Sequence, residues 1–300
     1  PAEGLFVGLP VCGRRLAMGN QTFAHRSSRG DGAHGGSTPA APRNAMRGCG
    51  PYAVQESATC RRDAPADLSP RVLYVSETLL AVDKPAGIIV HGDGTGTKTL
   101  TDLVRNTVER GAIDHVAPTC APEIQALQRL DRDTTGIVLF SICKHAQGAY
   151  DALIAAHSAR KHYLAVAEGR VPWDQRDIRV PIGRDRHDAR RMRASRTGKD
   201  AHTEATVLDR RRIDGRWYTL LDLRLYSGRK HQIRVHLAHE GFPLVGDALY
   251  GAGDTRGLML HARRLAFTDP VSHTSVDIHA PIPMRFRDLF PRSCARLFDM

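Results

Sequence analysis

No run of apolar residues in this 300-residue chain approaches the ~18 needed to cross a bilayer as a helix, so no membrane span is expected. Cysteine is scarce. The six present are Cys12, Cys49, Cys60, Cys120, Cys143 and Cys294, and no two stand in a C-x-x-C spacing. That excludes a disulfide framework and a zinc knuckle, and it leaves free thiols in a reducing compartment. His231, His236 and His239 lie close together, but no H-E-x-x-H spacing and no cysteine assists them, so no metal is expected. The glycine-rich stretch 92–99 (GDGTGTKT) has no Gly-Lys pair, which excludes a phosphate loop of the Walker type. No internal repeat is evident.

What the chain has in excess is positive charge. The net charge is +11 and the sequence pI about 9.8, which favours a polyanionic partner, RNA or DNA first. A hydrophobic content of 41% is enough for a core, and the length suits one large domain or two ordinary ones. Residues 1–70 hold eight Arg, no Lys and five acids. Their middle, 27–50, is rich in Gly, Ser, Ala and Pro without periodicity. Residues 1–69 therefore read as a disordered, low-complexity basic tail. The tail has neither the amphipathic stripe of a transit peptide nor the apolar core of a secretory signal. The composition breaks near Ser69-Pro70, and residues 70–295 read as the folded unit.

In that unit, Arg71-Val72-Leu73-Tyr74-Val75 and Leu79-Leu80-Ala81-Val82 predict two strands around a turn at Ser76-Glu77-Thr78. Thr99 or Thr101 can cap a helix that carries Leu100, Leu103, Val104 and Val108 on one face. A second amphipathic helix is marked by Ala146, Ala149, Tyr150, Leu153 and Ile154. Strands are expected at 162–168, 202–208, 217–225, 257–267 and 274–279, and a short helix at 283–290. Six arginines between 184 and 196 read as a basic, RNA-facing loop. Strands outnumber helices without regular alternation. The expected fold class is α+β, with a large, mostly antiparallel mixed sheet flanked by helices.

Two segments carry the chemistry. In Gln128-Arg129-Leu130-Asp131-Arg132-Asp133-Thr134-Thr135-Gly136, carboxylates, guanidinium groups and hydroxyls crowd a polar loop that feeds the apolar run Ile137-Val138-Leu139-Phe140. Asp131 to Thr135 fits D-x-D-x-T, the pattern of phosphatases that form an aspartyl phosphate. That chemistry needs the apolar strand before the first Asp, and here it follows, so the match is set aside. The second segment, Gly228-Arg229-Lys230-His231-Gln232-Ile233-Arg234-Val235-His236, packs cations and an amide into a turn suited to phosphate or carboxylate.

These segments resemble those of the RluA-type pseudouridine synthases. The family's His-Arg-Leu-Asp-x-x-Thr-Ser-Gly is similar to residues 128–136, with Gln128 for the usual His and Thr135 for the usual Ser. Its Lys-Pro-x-Gly resembles Lys84-Pro85-Ala86-Gly87, and its Lys-x-Tyr resembles Lys161-His162-Tyr163. Its Gly-Arg-x-His-Gln-Ile-Arg-x-His is similar to residues 228–236, and its Pro-x-x-Gly-Asp-x-x-Tyr-Gly to residues 243–251. Five segments recur in the family's order between about 71 and 290.

The resemblance implies isomerisation of uridine to pseudouridine in structured RNA, ribosomal or transfer. It implies Asp131 as the essential carboxylate and Arg234 as the arginine paired with it. Tyr163 is implied as the residue that packs on the base, and Arg129 as a residue that holds the flipped nucleotide. Gln128, Thr134, Arg229, His231 and Gln232 are expected to bind substrate. No cofactor is expected, because the reaction has no net redox change. A cytoplasmic monomer without a membrane partner is expected. No small RNA-binding module, common at the amino end of relatives, is recognisable in residues 1–70.

Overall fold

The structure, a computed structural model, describes residues 69–297 apart from 93 and 95. The expected tail lies, up to residue 68, outside the described residues. The first hairpin joins β1 (Arg71–Val75) to β2 (Leu79–Lys84), and helix α1 (Leu100–Glu109) follows. A two-residue strand β3 (Gln125–Ala126) precedes β4 (Thr135–Ser141). Then come α2 (Gln147–Ala155), β5 (Arg160–Glu168) and β6 (Gln175–Ile178). A small separate hairpin is formed by β7 (Ile182–Arg184) and β8 (Met192–Ala194). The long strands β9 (Thr203–Ile213) and β10 (Arg216–Leu225) lead to α3 (Gln232–His239). Strands β11 (Leu260–Thr268) and β12 (Ser275–His279) and helices α4 (Met284–Leu289) and α5 (Pro291–Arg296) complete the described chain.

Ten strands form one mixed sheet in the order β1-β2-β4-β11-β5-β10-β9-β6, with β3 on β4 and β12 on β11. Among the described residues, only the β4–β11 pairing of this sheet is parallel. The fold is α+β and mostly antiparallel, as the sequence predicts. Why the run at 137–140 is apolar throughout is now plain: every residue of β4 is buried, because the sheet is covered on both sides. The two-residue period divides the strands between two cores. Leu80, Val82, Val138, Phe140, Tyr163 and Ala165 face the side covered by α1 and α3. Leu79, Ala81, Ile137 and Leu139 face the opposite side, which α2 covers. Leu164 and Val166 share that side under α4.

Helix α1 is capped by Thr99, one of the two caps the sequence offers, and the cap is a capping box. The Thr99 hydroxyl accepts the Asp102 N–H, and the Asp102 carboxylate accepts the Thr99 N–H. Gly136 is required at the head of β4. Its φ is +110°, and a Cβ there would lie 2.3 Å from the carbonyl oxygen of Ala262 in β11. This close parallel approach sets the polar turn 131–134 beside the centre of the sheet.

Three expectations change. The basic stretch 184–196 is a loop framed by a hairpin: β7 ends at Arg184, 185–191 connect the strands, and β8 is Met192–Ala194. The turn at 228–236 continues as α3 to His239, and α5 follows the expected last helix.

Candidate active site

The carboxylate of Asp131 sits in a turn closed by the Thr134 N–H donating to the Asp131 carbonyl at 3.1 Å. Lys84 underpins this turn. Its side chain is wholly buried, and Nζ donates to the carbonyls of Pro85, Ile88 and Arg132 at 2.9, 2.8 and 2.8 Å. Burial pulls the Lys84 ammonium down to about 8, with the charges of Asp133 and Asp131 acting against the shift. Arg132 adds a second tie, Nε donating to the Gly87 carbonyl at 3.1 Å. The Lys-Pro-Ala-Gly turn and the Asp131 turn are thus fixed to each other.

Helix α3 supplies the cation. Arg234 is buried in its first turn and donates to Asp131 Oδ2 through an Nη at 3.1 Å. Its other edge is held by Asp247, with Nε to Oδ2 at 2.8 Å and the second Nη to Oδ1 at 2.7 Å. Asp247 is itself buried, and its Oδ1 also accepts the backbone N–H groups of Leu249 and Tyr250. The two-pronged pair orients the guanidinium so that one N–H faces Asp131. Despite burial, the two carboxylates push the Arg234 guanidinium above its ordinary value, so its charge is permanent.

Asp131 and Arg234 face a cleft of about 780 Å³, together with Tyr163 from β5. Tyr163 is buried, and burial with the Asp131 charge pushes its phenol up, so it is neutral at physiological pH. His231 begins α3 with a left-handed backbone, φ +57°, and its Nε2 lies 3.9 Å from Asp131 Oδ2.

The remaining sequence-predicted residues also line this cleft, in different states. Arg129 is exposed at its rim. Thr134 is buried, and its hydroxyl has no protein partner. Arg229 donates through Nε to the Asp200 carbonyl at 2.9 Å. Gln128 donates to the Ile137 carbonyl at 3.3 Å. Gln232 is tied inward: its amide accepts from Ser227 and Arg229 and donates to His202 and Thr203. Lys84, Asp247 and Tyr250 were not singled out by the sequence reading. The available signal was their place in the Lys-Pro-x-Gly and Gly-Asp-x-x-Tyr-Gly segments. Among the described residues no cluster of His, Cys, Asp or Glu could hold a metal ion.

The family model described as RNA pseudouridylate synthase matches residues 78–239, more than half of the chain. The uncharacterized RNA pseudouridine synthase YhcT of Bacillus subtilis is 33% identical over 221 residues, 73% of this chain and 70% of that protein. The ribosomal large subunit pseudouridine synthase D of Xanthomonas campestris is 36% identical over 264 residues, 81% of this chain and 76% of that protein. Among solved structures, human RNA pseudouridylate synthase domain containing 1 shares the fold. Its TM-score is 0.61 at 24% identity, covering 75% of this chain and 87% of that one. With sequence, fold and site geometry in agreement, the chain belongs to the RluA-type RNA pseudouridine synthases, isomerases that act on RNA.

Proposed function

We propose that this chain isomerises a specific uridine of structured RNA, ribosomal or transfer, with Asp131 as the essential carboxylate. One observation carries the reading: Asp131 Oδ2 lies 3.1 Å from a permanently charged Arg234 and opens, beside Tyr163, into a cleft large enough for a nucleotide. The name of the Xanthomonas relative makes large-subunit ribosomal RNA the first substrate to try.

The reaction breaks the bond from ribose to the uracil ring nitrogen, turns the base and rejoins it through carbon 5. The carboxylate can attack the sugar, attack the base or remove a ribose proton, and each route needs the anionic oxygen of Asp131. Arg234 balances that charge and fixes the oxygen's direction. Tyr163, kept neutral by burial, offers a flat surface and a hydroxyl to the base. Because a neutral phenol is a poor base, it takes the carbon 5 proton only with help from a neighbour.

Arg129 at the rim holds the flipped nucleotide, the unpartnered Thr134 hydroxyl reaches substrate, and Arg229 and His231 contact it from the head of α3. Gln128 and Gln232 support the wall of the cleft. No cofactor takes part, since substrate and product are isomers. The catalytic unit is residues 70–295, with 1–69 a separate tail. The proposed active unit is a monomer. A ribosomal substrate fits the cytoplasm, as do Cys120, Cys143 and Cys294, which form no disulfide among the described residues.

The test is tritium release from RNA labelled at uridine carbon 5, with product analysis for a carbon–carbon glycosidic link at unchanged mass. Release from the candidate RNA and not from a DNA stem-loop is expected. Absence of release from total RNA of a strain lacking the gene would overturn the proposal.

A further inference from the structure

Tyr250 has no place in the roles given so far, yet its hydroxyl joins the arginine hairpin to the head of α3. The oxygen accepts the backbone N–H of Met192, the first residue of β8, at 2.8 Å. The same oxygen lies 2.8 Å from Nδ1 of His231. The guanidinium carbons of Arg191 and Arg234 each lie 5.2 Å from the centre of the Tyr250 ring. Its backbone N–H donates to Asp247 at 3.1 Å, which fixes the ring's starting point.

Counting protons along this path decides the tautomer of His231. A backbone N–H only donates, so the phenolic oxygen is the acceptor from Met192 and its own proton is left to go elsewhere. Nδ1 of His231 is within reach. A neutral imidazole has one donor and one acceptor nitrogen, so a Tyr250 proton given to Nδ1 puts the ring proton on Nε2. The opposite tautomer fails at both ends. It gives the phenol no acceptor on the imidazole, and it turns the Nε2 lone pair toward a carboxylate oxygen 3.9 Å away. Burial pushes His231 below its ordinary value, against the pull of Asp131, so the neutral ring is the relevant one at neutral pH.

We propose that Tyr250 is a positioning residue: it locks His231 in the Nε2-protonated tautomer, so that an N–H donor faces Asp131. The proposal rests on the reading of Asp131 as the essential carboxylate. With Met192 N–H docked on the Tyr250 oxygen, the phenol proton has Nδ1 of His231 as its acceptor at 2.8 Å.

Two measurements test it. In the full-length protein labelled with 15N-histidine and free of RNA, the His231 resonances are expected to report a bare Nδ1 and a protonated Nε2. A proton on Nδ1 overturns the proposal whether or not any variant folds. Second, Tyr250→Phe should lower kcat about tenfold, the order expected for one lost hydrogen bond in a site, with KM changed less. Because Tyr250 acts through His231, the same change made on His231→Asn should cost less than about twofold more; Asn tolerates the left-handed backbone. Unchanged kcat in Tyr250→Phe, or losses that multiply in the double variant, overturn the positioning role. The resonance experiment uses no turnover, so its failure counts against Tyr250 alone. A wild-type protein without tritium release counts against the functional reading.

Discussion

The guanidinium of Arg234 joins two carboxylates that are chemically unalike: Asp247, gripped through two hydrogen bonds at 2.8 and 2.7 Å, and Asp131, touched through one at 3.1 Å. Asp247 is wholly inside, whereas the Asp131 side chain keeps 23% of its surface open to the cleft. The tighter pair sets the position of the looser one. Asp247→Asn should therefore affect both folding and chemistry. It leaves a buried guanidinium with one acid in place of two, a change of the kind that costs about 3–5 kcal/mol when a buried pair is broken. Denaturant unfolding is expected to show that loss, and turnover should fall because Arg234 is no longer aimed at Asp131. A loss below about 1 kcal/mol, within the range of surface ion pairs, would mean that the bidentate pair does not carry the site.

Asp131→Asn should abolish turnover while RNA binding survives. Asn is nearly isosteric and keeps the turn, but it lacks the anionic oxygen that each candidate route requires. Loss of such a group costs roughly four or more powers of ten in rate. Binding rests on many phosphate contacts and should change little. Asp133→Asn is the control: Asp133 is exposed two residues on and makes none of the Arg234 contacts. Tritium release measured for both variants checks the assignment. Near-normal release by the Asp131 variant, or an equally dead Asp133 variant, would sink it.

The arginine hairpin provides a prediction about RNA affinity. Arg186, Arg193 and Arg196 are exposed, while Arg190 is paired with Asp188. Replacing these three exposed arginines by Ala should raise KM. It should also flatten the dependence of log affinity on log salt, by up to about 0.7–0.9 for each phosphate no longer neutralised. Filter binding over a salt series measures the slope. An unchanged slope would take the hairpin out of the RNA path.

How far the sequence foretold these features depends on the range of the interaction. Strand β4 was legible because its β-forming run is local, and α1 because a threonine cap stands just before Leu100, Leu103, Val104 and Val108, which share one face. The Asp131–Arg234 bond spans 103 positions, and only the resemblance to a family linked the two segments. Asp247 and Tyr250 were marked only by their place in the Gly-Asp-x-x-Tyr-Gly segment, because their side chains work across the fold. Helix α3 was hidden by its own polarity, since it buries Gln232, Arg234 and His236 where a helix face is expected to be apolar. The β7–β8 hairpin escaped because apolar alternation does not hold it. The Tyr250 hydroxyl on Met192 and backbone bonds between Ile182 and Lys199 do.

Behind the Asp131 turn, His261 provides a prediction about acid stability. Its ring is wholly buried in β11, with Nδ1 2.9 Å from the Thr135 hydroxyl, to which Arg285 donates from α4. Burial first, and the Arg285 charge second, push the imidazole down to about 3 from an ordinary 6.5. The folded chain therefore refuses a proton that the unfolded chain accepts. Between pH 6.5 and about 3 the unfolded state binds more protons, so stability falls as pH falls, by up to about 1.4 kcal/mol per pH unit from this group. Above pH 6.5 both states are neutral there, and the contribution is fully present. His261→Gln keeps polar atoms near Thr135 but cannot titrate. Its stability, whatever its value at neutral pH, should decline less steeply than that of the natural chain between about pH 6.5 and pH 4. The carboxylates contribute equally to both profiles, so the difference in slope isolates His261. Parallel profiles in urea unfolding would show that the imidazole reaches its proton in the folded state, and that this buried layer under the catalytic turn is open to acid.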